Sequence, residues 1–439
     1  MTNVYAKGDY CVSVHIGSEQ SQVNLILDTG SSTLVIKESS TKKLLTDNYQ
    51  ARHDKNLMAS PIVQEVNYGI GGWNGPVIYT CINVHEHCPH SEHLHRIAAE
   101  PSISLTSSPI ALVLSDKQKE TFGDADGILG LAYHHINKGF NLADYFLEQK
   151  IAPELSYPWP FTREVSENLK AFKKLLWQYP EHDITPYFTE LEEHKLVANK
   201  FAFYSKRSAV HINESNTAEI PTITLAKDPL NHGFLILGGG EEHTDLYHGE
   251  FSQICVSHDI YYNVELVSIQ VGDNPVINAP PLGPKHLKSY CTNAIIDTGA
   301  GGVVLTAEIY QQMISDLVAC NASFAALLEP FKELSAQDTG IDSSLLNLSQ
   351  WPSIKFNFIT SSDRTTDTHT TQLECVPETY WQINTPSFGK ACFRFLSQLP
   401  QWPNQSIIGL PLLNNYYVVF DRSVDKTGVI KFAQQKGNI

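Results

Sequence analysis

The sequence predicts a mainly β chain built from one half used twice, on three observations. The first is a repeated tripeptide, Asp28-Thr29-Gly30 and Asp297-Thr298-Gly299. The second is the apolar run before each copy, Val23-Asn24-Leu25-Ile26-Leu27 and Ala294-Ile295-Ile296, which reads as a buried strand. The third is an echo at comparable distance downstream, Gly127-Ile128-Leu129-Gly130-Leu131 after one copy and Ile407-Ile408-Gly409-Leu410 after the other. One such tripeptide turns up by chance in a chain of this length roughly one time in ten. Two copies with matching strands and matching echoes point to duplication.

Matched carboxylates imply acid-base chemistry. Two carboxyls within hydrogen-bond reach cannot both ionise cheaply, so such a pair holds one proton over a wide pH range. One member then takes a proton from a water between them while the other donates to a carbonyl oxygen as it becomes tetrahedral. Asp28 and Asp297 are the candidate pair. Gly30 and Gly299 permit a tight turn that brings backbone N–H groups to the carboxylates. Ser31 is placed to donate to Asp28.

These motifs resemble the pepsin-like aspartic peptidases, and the likeness covers most of the chain. Tyr10-Cys11-Val12-Ser13-Val14-His15-Ile16-Gly17 is similar to the family's opening strand, and Asp28 to Ser32 gives the full Asp-Thr-Gly-Ser-Ser form. Asp126 to Tyr133 and Tyr416 to Arg422 also follow the family wording. The resemblance implies a bilobal fold, two pseudo-symmetric β-rich lobes with an active-site cleft between them and a few short helices. It implies an endopeptidase that cuts peptides and proteins between hydrophobic residues at acidic pH and binds pepstatin-type inhibitors. By the same resemblance Thr29 and Thr298 lock the two loops together, and Ile26 and Ile128 wall the substrate pocket. The family's flap tyrosine falls on Tyr68, in the glycine-rich turn Tyr68-Gly69-Ile70-Gly71. Removing its ring is expected to lower kcat/KM more than stability.

The departures are informative as well. Val35 stands where many relatives carry the tryptophan that partners the flap, and Leu410 where some have an acidic residue. Ala300 replaces the usual Thr or Ser after the second tripeptide, so Asp297 lacks a hydroxyl donor that would stabilise its charge. A catalytically silent, peptide- or enzyme-binding member of the fold is the alternative, and the intact Asp28, Asp297 and Tyr68 weigh against it.

With 439 residues and 42% apolar content the chain is long enough for two cores. A formal net charge of −16 disfavours nucleic acid and anionic membrane as partners. No apolar run reaches the ~18 residues needed to span a bilayer. The start, Met1-Thr2-Asn3-Val4-Tyr5-Ala6-Lys7-Gly8-Asp9, leads straight into the first strand without a signal segment. It resembles the bacterial pepsin homologues of the shewasin type and suggests a cytoplasmic monomer, a secreted mature fragment being the alternative. Eight cysteines are expected to be mostly free thiols, although Cys320 and Cys392 match the family's C-terminal bridge by position. The sequons at Asn213, Asn321, Asn347 and Asn404 are about as many as chance allows.

A metal-binding reading rests on His85-Glu86-His87-Cys88-Pro89-His90-Ser91-Glu92-His93-Leu94-His95, whose spacing matches no defined site. Neither a metal nor another cofactor is expected.

The lobes are expected at 1–200 and 201–439, with an insertion at about 156–199. In it Thr162 is the expected cap of a helix carrying Val165, Leu169, Phe172, Leu175 and Leu176, ended by Pro180. A second helix should start at Thr306 and bury Ile309, Met313, Ile314 and Leu317, and Ser361 to Thr368 reads as a solvated hairpin tip.

Overall fold

Both apolar runs that precede the tripeptides are strands, and both are buried on two faces. The computed structural model describes the chain except at residues 38–48, 68–71, 86–102, 114, 117–121, 163–164, 166–167, 215–220, 361–368 and 438–439. Tyr68-Gly69-Ile70-Gly71, most of the histidine cluster and the 361–368 tip lie outside the described residues. By contact the rest groups into two units, Cys11–Leu196 and a second made of Met1–Tyr10 with Val197–Ile439. The first ten residues thus join the C-terminal unit, which a division at residue 200 does not anticipate.

In the unit Cys11–Leu196 the strand Ser21–Asp28 has Asp9–Ile16 antiparallel on one side, in the register Cys11↔Ile26 to Ile16↔Ser21. On its other side lies the parallel strand Gly127–Gly130, with Leu25↔Gly127 and Asp28↔Gly130. Leu34–Lys37 then adds antiparallel to Gly127–Gly130, and Ile103–Val113 parallel to Leu34–Lys37. A central strand of this kind is apolar throughout because both faces are covered; Val23, Leu25 and Leu27 are almost wholly buried. Asn24 is tolerated inside it through a reciprocal pair: its N–H donates to Asp126 Oδ2 at 2.9 Å, and the Asp126 N–H donates to its carbonyl at 2.8 Å.

The C-terminal unit repeats this order. Asn263–Val264 lies antiparallel to Ala294–Ile296, which lies parallel to Ser406–Ile408 with Ile295↔Ile407. Val303–Leu305 is antiparallel to Ser406–Ile408, and Phe395–Ser397 is parallel to Val303–Leu305. The sequence of antiparallel, parallel, antiparallel and parallel contacts is the same in both units, so the duplication read from the tripeptides extends to strand topology. A separate five-stranded sheet, in the order Phe234–Leu237, Lys200–Tyr204, Tyr416–Asp421, Val429–Gln435 and Tyr247–Cys255, carries the C-terminal motif. The helix Ala307–Cys320 starts after Thr306 and buries Ile309, Met313 and Leu317, while Ile314 is half-buried.

The insertion is part of the core. Its helix is Leu169–Leu176, capped by Asn168, whose side chain accepts from the Ala171 N–H at 3.2 Å. Thr162 is therefore not the cap of the helix Leu169–Leu176, and Val165, 40% exposed, is not on its packed stripe. Asn ranks above Thr as a cap. The helix ends at Leu176, ahead of Pro180. Phe172 and Leu176 pack with Phe161, Phe146, Leu142 and Val63, the Phe161 and Phe172 rings meeting edge-on at 5.1 Å. No helix among the described residues is long and apolar enough to cross a membrane.

One buried carboxyl in this unit makes stability depend on pH. The helix Tyr187–Glu193 rests on Ile103–Val113, and Glu190 Oε2 accepts from Ser108 Oγ at 2.5 Å. Burial pushes the Glu190 carboxyl up to about 7, against the lowering effects of Ser108 and His194 and with a further rise from Glu193. The folded pKa lies above the unfolded one, so this group's contribution is complete below about 4.5 and is lost as pH rises through about 7. Wild type should therefore lose about 2 kcal/mol relative to Glu190→Gln between pH 4.5 and 8. Thermal melts of both proteins at the two pH values measure this, and parallel melting curves would refute it.

Candidate active site

Asp28 is the last residue of its strand, and its loop is held by the echo segment. The Leu131 N–H donates to the Asp28 carbonyl at 2.7 Å, Ala132 to Ser31 at 2.8 Å and Gly130 to Thr33 at 3.0 Å. The Gly30 N–H donates to Asp28 Oδ1 at 2.7 Å, the contact that a glycine turn was expected to allow. Gly130 lies directly beneath: a β-carbon there would sit 2.5 Å from the Ser32 carbonyl carbon and the Thr33 nitrogen.

Buried polar side chains support this loop from one side. Thr33 Oγ1 donates to Asn137 Oδ1 at 2.9 Å, and Gln64 Nε2 donates to the same oxygen at 2.8 Å. Ser31 does not follow expectation, since its hydroxyl is buried without a hydrogen-bond partner among the described residues and does not reach Asp28. Thr29 is fully buried.

The second loop is built alike. The Asp297 N–H donates to the Ile408 carbonyl at 3.0 Å, and the Gly299 N–H donates to Asp297 Oδ1 at 2.9 Å. Thr298 is fully buried, as Thr29 is. Leu410, the first residue of the short helix Leu410–Leu413, donates its N–H to the Ala300 carbonyl at 2.9 Å. A β-carbon on Gly409 would lie 2.2 Å from the carbonyl oxygens of Ala300 and Gly302. In each unit the glycine of the echo lets the echo segment approach the loop at backbone contact.

Ile26 and Ile128 are register partners in adjacent strands, 7% and 6% exposed, whereas Leu25 and Leu27 between and beside them are fully buried. The residual exposure lies on the face opposite the leucines, because successive side chains alternate. Val35 is a core residue. The strands leading to the expected flap, Met58–Asn67 and Gly72–Val84, are paired antiparallel up to Asn67↔Gly72.

Among the seven described cysteines, Cys88 lying outside, no disulfide is formed. The Cys320–Cys392 bridge that position would allow is not formed: Cys320 is exposed, while Cys392 is buried with its thiol directed at the Gln337 and Thr385 carbonyls. Among the described residues no group of three His, Cys, Asp or Glu could hold a metal ion, and His85 packs its ring against His15 at 4.6 Å.

Three supports escape a reading for catalytic motifs: Asn137 and Gln64 under the first loop, and Arg394 beside the second. Arg394 did carry a signal, as the one charge within Ala391-Cys392-Phe393-Arg394-Phe395-Leu396.

Two aspartate loops on a repeated strand order, each against the glycine of an echo segment, define a class, and the model of the eukaryotic aspartyl protease family matches residues 9–151 and 192–435. The chain belongs to that family. A beta-secretase of Strongylocentrotus purpuratus is 20% identical to it over 429 residues, which cover 95% of this chain and 65% of that protein. The chain thus spans a little under two thirds of that relative's length. The family match pauses over 152–191, where the Phe161 and Phe172 core of the insertion lies.

Proposed function

We propose that this protein is an aspartic endopeptidase using Asp28 and Asp297 as a water-activating pair. The observation that carries this reading is the repeated loop geometry, a glycine N–H on the aspartate Oδ1 at 2.7 Å in one unit and 2.9 Å in the other. In this reading the two carboxyls share one proton and act on one water. The ionised member takes a proton from that water, and the protonated member donates to the peptide carbonyl oxygen. Tyr68 closes over the substrate, and Ile26 and Ile128 favour apolar side chains in it. Cys81, Cys291, Cys320, Cys375 and Cys392 form no disulfide, which supports a reducing, cytoplasmic setting.

Cleavage of a chromogenic peptide across pH 3–7, with pepstatin and EDTA in parallel, tests the reading. Turnover blocked by pepstatin and untouched by EDTA is expected. Peptide binding without cleavage would favour a silent member of the fold.

Ala300 supplies a sharper test. Without a hydroxyl at this position the acid limb of activity is expected to lie higher than in relatives that carry Thr or Ser there, favouring an optimum of about 4–5.5. Ala300→Thr and Ala300→Ser should each shift that limb to lower pH in kcat/KM profiles, and an unmoved limb in both would show that another donor already serves Asp297.

A further inference from the structure

The exits of the two loops differ in a way that the tripeptides conceal. After Gly30 the first continues Ser31-Ser32-Thr33, and Thr33 is tied to Asn137 and Gln64. After Gly299 the second continues Ala300-Gly301-Gly302, with neither a side-chain donor nor a β-carbon on two successive residues. Such a segment is intrinsically loose, because glycine has the widest conformational freedom to lose. Something outside it has to hold it.

Arg394 does so from both ends. Its Nε donates to the Gly301 carbonyl at 2.8 Å, and its own carbonyl accepts from the Val303 N–H at 2.9 Å, bracketing Gly302. Nη2 donates to the Ser208 carbonyl at 3.0 Å and Nη1 to Gln337 Oε1 at 3.1 Å. A β-carbon on Gly301 would lie 2.8 Å from Nη2 and 3.0 Å from Asp9 Oδ1, so the chain passes directly under this guanidinium and carboxylate. Arg394 is partly buried, and desolvation lowers its pKa, opposed by Cys392 and Asp9. A cation held partly out of water is costly, and apolar residues of similar size are commonly as stable or more so. Its retention here is explained by what it holds.

Resting on the peptidase reading, we propose that Arg394 is the positioning residue of the second aspartate. It fixes the Gly301 carbonyl and thereby the aim of the Asp297 carboxylate, replacing the anchoring that side chains give the first loop. The fork of the guanidinium matters as well as its charge, since three acceptors are engaged in three directions.

Arg394→Met and Arg394→Lys, with Gln337→Met as a control, test this. Arg394→Met should lower kcat on the order of 100-fold with KM within about threefold, because a small misalignment of a reacting group costs rate more than binding. Arg394→Lys should recover part of kcat. Gln337→Met, which removes the Nη1 partner and leaves the Gly301 contact, should lower Tm while keeping kcat near wild type.

Amide hydrogen exchange gives a readout independent of turnover. In both Arg394 variants residues 299–303 should lose protection while the helix Ala307–Cys320 keeps it. Wild-type kcat in folded Arg394→Met, a kcat loss in Gln337→Met equal to that in Arg394→Met, or unchanged exchange at 299–303 would each overturn the proposal. A folded wild type without peptidase activity would instead refute the reading it rests on, and the exchange arm would still decide whether Arg394 holds the loop.

Discussion

Replacing Asp28 or Asp297 with Asn should abolish nearly all turnover, a fall of about 10³-fold or more in kcat, while leaving the melting temperature close to wild type. Asn keeps an acceptor for the Gly30 or Gly299 N–H, so the loop hydrogen bonds at 2.7 and 2.9 Å survive. What it removes is the ability to hold or release a proton. Because base and acid would act as one unit, the double variant should be scarcely worse than either single one. Rate measurements beside thermal melts decide the matter, and wild-type turnover in either single variant would exclude a paired mechanism.

The second large effect is structural. Gly409→Ala and Gly127→Ala should each destabilise the protein by more than about 4 kcal/mol or prevent folding, because no side chain can move aside. The new β-carbon would lie 2.2 Å from two carbonyl oxygens at Gly409 and 1.8 Å from the Val35 oxygen at Gly127, and all of these are backbone atoms. Gly249→Ala is the control. That residue has φ +77° with nothing within 4 Å of an added carbon, so only backbone strain of about 1 kcal/mol is expected. Denaturant titration would separate the cases, and a near-neutral Gly409→Ala would mean that the echo segment can withdraw from the second loop.

Much of this was legible because the informative residues are local. A carboxylate at a strand end, a glycine two residues on and an apolar run before it are read within one short window, and their repetition marks the second copy. Thr306 and the Ile309, Met313 and Leu317 stripe were legible for the same reason. What escaped depends on partners distant in sequence. Gln64 meets Asn137 across 73 residues, and Arg394 meets Gly301 across 93. Nothing adjacent to either partner announces the contact. The cap of the helix Leu169–Leu176 was missed for a smaller reason, since Thr162 and Asn168 both stand a few residues ahead of its apolar stripe and the sequence does not choose between them. Ser31 failed in another way, because a hydroxyl three residues from a carboxylate in sequence can still be buried without reaching it.

The first ten residues have a bearing on how the gene can be divided. Tyr10 is buried against Phe203 and accepts hydrogen bonds from the Lys206 and Arg207 N–H groups, while Asn3 reaches the Ala209 carbonyl and Met1 pairs with Gly233. Expressed alone, 197–439 would expose the Phe203 ring face and leave those donors without their acceptor. A synthetic peptide of the first ten residues supplied in trans should therefore act as a folding ligand for that fragment, raising its Tm with peptide concentration as a bound partner must. The unit is one folding body written in two pieces of sequence.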